Sequence, residues 1–66
     1  MITAHFIVGD EEREVREVTE DWLHGAEANH ENVLLSDGNN YLVLKVSVDG
    51  AHARVELVPP EFARAS

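Results

Sequence analysis

The chain has no cysteine, a single lysine, one tryptophan, one tyrosine and a single adjacent pair of prolines. Without cysteine there is no disulfide to staple the fold, no thiol nucleophile, no thiolate zinc site and no iron–sulfur ligation. Basic residues are equally scarce: five stand against thirteen acids, for a net charge of −8. Nothing here can displace counterions from a phosphate backbone, so direct nucleic-acid binding is not expected. No apolar run approaches the roughly 20 residues needed to cross a bilayer. The first residues lack the basic-then-apolar layout of a secretory signal, so a cytoplasmic protein without a membrane partner is expected. There is no phosphate loop, no dinucleotide fingerprint and no glycine-framed serine. A chain of 66 residues also hides only about 60% of the surface its unfolded form exposes, which leaves one small core.

What the chain has is acid, unevenly placed. Between Asp10 and Glu31 lie nine acidic residues and two arginines, so that one segment carries −7 of the −8. Paired carboxylates are therefore abundant on what reads as solvated surface. Acid–base catalysis instead needs carboxylates of divergent pKa in a cleft. Ser47 and His52 read as neighbours on a strand face without an oxyanion hole. A non-enzymatic protein with no cofactor is the expectation.

The apolar pattern predicts an α+β fold of order β-α-β-β-β, one amphipathic helix packed on one face of a four-stranded, mostly antiparallel sheet. A single domain spans 1–60, and 61–66 form a C-terminal tail after Pro59-Pro60. Ile2 to Val8 alternates as a strand. Asp10 reads as a helix N-cap followed by acids suited to the positive end of the dipole. On a helical wheel Val15, Val18, Thr19, Trp22, Leu23 and Ala26 form one stripe, and Gly25 reads as the stop. That stripe would bury Trp22 against the sheet. Three strands follow, at 33–36, 41–48 and 51–58. Asp49-Gly50 reads as a two-residue hairpin turn, pairing Leu44 with Val55 and Leu42 with Leu57. Across the 37–40 loop, Leu35 would face Leu42 and Val33 would face Leu44. Phe6, Leu42, Leu44, Val46, Val55 and Leu57 would then form the inner face.

Three candidate surfaces emerge. First, Glu14, Glu17, Glu20, Asp21 and Glu27 would present a rigid acidic helix face to a basic protein partner. Inhibitors, immunity proteins and antitoxins use such complementarity to raise association rates and penalise wrong partners. Solubility and adaptation to high salt explain the same charge without a partner. Second, Leu34, Tyr41, Val43 and Val58 would make an apolar patch on the outer sheet face, where a second copy could form a homodimer. Third, as an alternative function, His24, Glu27, His30 and Glu31 would offer imidazole and carboxylate ligands for a metal or small ligand.

Overall fold

The computed structural model describes residues 1–61. Apart from Glu61, the expected tail lies outside them. The chain runs β1 (Ile2–Val8), β2 (Glu11–Val18), α1 (Glu20–Asn29), β3 (Asn32–Leu34), β4 (Asn40–Asp49) and β5 (His52–Val58). The fold is α+β, but the sheet is mixed and five-stranded, in the order β2-β1-β5-β4-β3. The expected four strands in β-α-β-β-β order are corrected accordingly. β1 runs parallel to β5, and the other neighbouring pairs are antiparallel.

The added strand is the first half of the expected helix. Gly9, at φ 65°, and Asp10 make a two-residue turn that folds Glu11 back opposite Val8. Glycine supplies the positive φ such hairpins need. The helix starts one strand later, where the Thr19 hydroxyl accepts a hydrogen bond from the Trp22 N–H at 3.1 Å. Glu20 and Asp21 occupy its first turn, where their charge suits the dipole. Gly25 lies inside the helix. The left-handed residue that ends it is His30, at φ 50°.

The β4–β5 hairpin is shifted from the expected register. Its turn residues are Gly50 and Ala51, so Asp49 faces His52 and Val46 faces Val55. A shift of two keeps each side chain on its face. Further along, however, the register slips between Val43 and Lys45, leaving Leu44 as an unpaired bulge and placing Val43 opposite Leu57. One extra residue exchanges the faces of everything before it. Tyr41 and Val43 therefore turn into the core and Leu44 is exposed, reversing the expectation for both sides. β3 is displaced as well, with Val33 opposite Tyr41. The core gathers Phe6, Leu23, Leu35, Val43, Val55 and Leu57 among others, and Trp22 lies partly buried at its margin.

The sheet curls until its two edges come within side-chain reach. From β2, the Arg16 guanidinium donates to the Leu34 carbonyl at 2.7 Å. The Glu14 carboxylate accepts from the Ser36 N–H at 2.9 Å and pairs with Arg16. Beyond short β3, the open edge of β4 is covered by α1 and the residues after it. The Val46 N–H donates to Glu27 Oε2 at 2.8 Å, and the Val43 N–H donates to the Glu31 carbonyl at 3.0 Å. His30 Nδ1–H donates to the Val43 carbonyl at 2.9 Å. These three bonds satisfy backbone groups of Val43 and Val46 that have no strand partner, as buried or half-buried groups require.

This clasp carries a pH signature. Hydrogen bonds from Ser36, first through its hydroxyl and then its backbone N–H, hold the Glu14 carboxyl below its ordinary range, and Arg16 adds to them. Asp37 is lowered in the same direction, first by the Asn39 backbone N–H and further by Tyr41 and Arg13. Groups with lowered folded-state pKa stabilise the fold above the ordinary carboxylate range, and that contribution is lost as pH falls through the folded values. Urea midpoints should therefore fall on acidification below that range. Glu14→Gln, which cannot titrate, should show a shallower acid slope. An unchanged slope would mean that the clasp is not formed in solution.

Candidate functional site

The five acids expected on one helix face divide between two elements. Glu14 and Glu17 belong to β2, whereas Glu20, Asp21 and Glu27 belong to α1. Glu14 and Glu27 are committed to the sheet edges through Ser36 and Val46. Glu17, Glu20 and Asp21 remain exposed, close together in sequence across the β2–α1 corner. At this corner a shallow hollow of about 350 Å³ is lined by Met1, Phe6, Arg16, Glu17, Val18 and Trp22 among others. The hollow is mostly apolar but takes in Arg16 and Glu17, and the exposed Glu20 and Asp21 follow in the first turn of α1.

The other two sets are not assembled as expected. Tyr41 and Val43 are core residues, so the outer patch with Leu34 and Val58 does not form; of the four, only Leu34 is well exposed. The β4 bulge is the cause. In the third set, His24 is exposed and lies 4.0 Å from Glu20, while Glu27 and His30 are turned to the β4 backbone. Because the helix continues through Gly25 and ends at the left-handed His30, these side chains diverge. Among the described residues, no group of three or more histidine, aspartate or glutamate side chains is placed to hold a metal ion.

The sheet face away from α1 carries a cluster that the sequence did not reveal. Odd-numbered residues of β1 point to this face, and the register slip between Phe6 and Ile7 leaves Arg13 as the extra residue of β2. That bulge turns Glu12 to the same side as His5 and Ile7. Parallel pairing of β1 with β5 sets Thr3 opposite His52, which makes His5 and His52 diagonal neighbours. His5 Nδ1–H donates to Glu12 Oε1 at 2.5 Å, and His5 Nε2 lies 3.2 Å from His52 Nδ1. The ring centroids are 5.4 Å apart. Asp49, Arg54 and Ile7 complete an open cleft of about 450 Å³ around the pair. A carboxylate on one nitrogen of His5 fixes its tautomer and aims the other nitrogen's lone pair at His52.

No family model, curated protein or solved structure matches this chain.

Proposed function

We propose that the protein is a small non-enzymatic interaction module that binds a basic protein partner at the β2–α1 corner. The observation that carries this reading is the corner itself, where Glu17 lines the hollow beside Trp22 and Glu20 and Asp21 stand exposed in the first turn of α1. A mostly apolar hollow with charged residues at its margin matches the layout of an interface core and rim. Backbone geometry holds the acids in a fixed pattern: Glu17 is anchored in the β1–β2 hairpin and the other two in a capped helical turn. A complementary charge pattern steers encounter and rejects wrong partners.

An arginine-rich peptide carrying one leucine is a suitable probe. Amide shifts on its addition should concentrate between Glu17 and Trp22, and an acidic peptide should produce none. Replacing Glu17, Glu20 and Asp21 by lysine should leave the fold intact, as exposed charges contribute little individually, while slowing association about 10-fold or more. Shifts spread evenly over Asp37, Asp49 and Glu56 as well would assign the charge to solubility and sink the reading.

A further inference from the structure

We propose that His5 and His52 form a binding site for a late first-row divalent cation such as Zn²⁺, with Glu12 orienting His5 from behind. Neither histidine lines the hollow at the β2–α1 corner, so this inference does not rest on the partner-binding reading.

Geometry carries the inference. Two Zn–N bonds of about 2.0–2.1 Å at a tetrahedral angle place their nitrogens about 3.3–3.4 Å apart. His5 Nε2 and His52 Nδ1 stand at 3.2 Å. The position between them is filled by one proton when His52 Nδ1–H donates to His5. A cation binds about 1.3 Å to one side of the N···N line, given Zn–N bonds of about 2.0–2.1 Å, when His52 adopts the other tautomer and both rings tilt to aim their lone pairs at it. His5 is already prepared, because Glu12 accepts its Nδ1–H at 2.5 Å. Carboxylate–histidine–metal relays use this arrangement to fix the ring and raise its basicity. Glu12 and Asp49 add negative charge to the cleft, and Arg54 is the opposing cation on its wall. The two imidazoles supply the protein's nitrogen ligands, and water completes the shell of a cation in an open cleft. Histidine pairs of this kind suit zinc, copper and nickel, whereas calcium and magnesium require oxygen donors.

The test is titration of the full chain with Zn²⁺ alone, followed by calorimetry and by imidazole nitrogen spectra. Saturable one-to-one binding is expected, with the shifts at His5 Nε2 and His52 Nδ1 and none at His24 or His30. His5→Gln and His52→Gln should each lose affinity about 10-fold or more, and Glu12→Gln should lose about 10-fold through its indirect role. His24→Gln should bind as the parent does, as should the chain carrying Glu20→Lys and Asp21→Lys. Absence of saturable binding at about 1 mM Zn²⁺ would overturn the proposal. So would shifts confined to His24 and His30. The parent's own imidazole spectra decide the matter even where a variant fails to fold.

Discussion

Val43→Lys is expected to abolish cooperative folding, whereas Leu44→Lys, one residue away, should be nearly silent. Val43 is 0% exposed and Leu44 is 52% exposed. A lysine at the first position must bury an ammonium among Leu57, Val55 and Leu23, without a partner charge. Several kcal/mol are lost even after relaxation. A domain of this size holds only about 3–5 kcal/mol in total, so the folded state should disappear at 25 °C. At the second position the ammonium enters water from the bulge. Far-UV circular dichroism with urea titration separates the two outcomes. Cooperative unfolding of Val43→Lys at the parent's midpoint would show that the bulge is absent and that the two faces of β4 are exchanged.

That pair of substitutions marks where the sequence stops being legible. Strand character at 2–8 and in the last two strands could be read from alternation, and so could the hairpin near Asp49-Gly50. The bulge at Leu44 leaves no such trace, because Leu42, Val43 and Leu44 are all apolar and either parity looks acceptable. One signal against the expected register was present. It set Lys45 opposite Arg54, an unfavourable like-charge pair, whereas the observed register puts Lys45 opposite Glu56 and Asp49 opposite His52.

β2 is obscured for a different reason. Val15, Val18 and Trp22 recur at helical spacing, and glutamate is a good helix former. The strand's alternation was hidden because its core-side positions are Glu14 and Arg16, polar residues that clasp the far edge instead of filling the interior. Gly9-Asp10 was the available clue, since such a dipeptide between two runs signals a hairpin. The histidine pair could not be found from spacing at all. His5, Glu12 and His52 meet only through a bulge at Arg13 and a parallel pairing between the first and last strands.

Phe6→Ala is expected to be the most damaging truncation in the core. Phe6 is 1% exposed and stands between β2 and β5, opposite Glu14 on one side and Val55 on the other. Its ring meets Trp22 edge-on, with centroids 6.1 Å apart and planes at 76°. The Arg16 guanidinium lies 5.6 Å from the ring centre, within the range of a cation–π contact. One side chain therefore links the first strand, the clasp and the helix. Its removal costs the transfer term plus a cavity that a curled sheet cannot readily collapse, about 3–5 kcal/mol in such sites. Trp22→Ala removes a larger side chain but a half-buried one, so it should cost less than Phe6→Ala. The reverse order would be expected had the tryptophan been the centre of the core. Urea unfolding followed by circular dichroism ranks the two, and Trp22 fluorescence in Phe6→Ala reports whether the helix still docks. A Phe6→Ala chain that keeps its midpoint and its Trp22 emission would show that the clasp and helix hold without the ring between them.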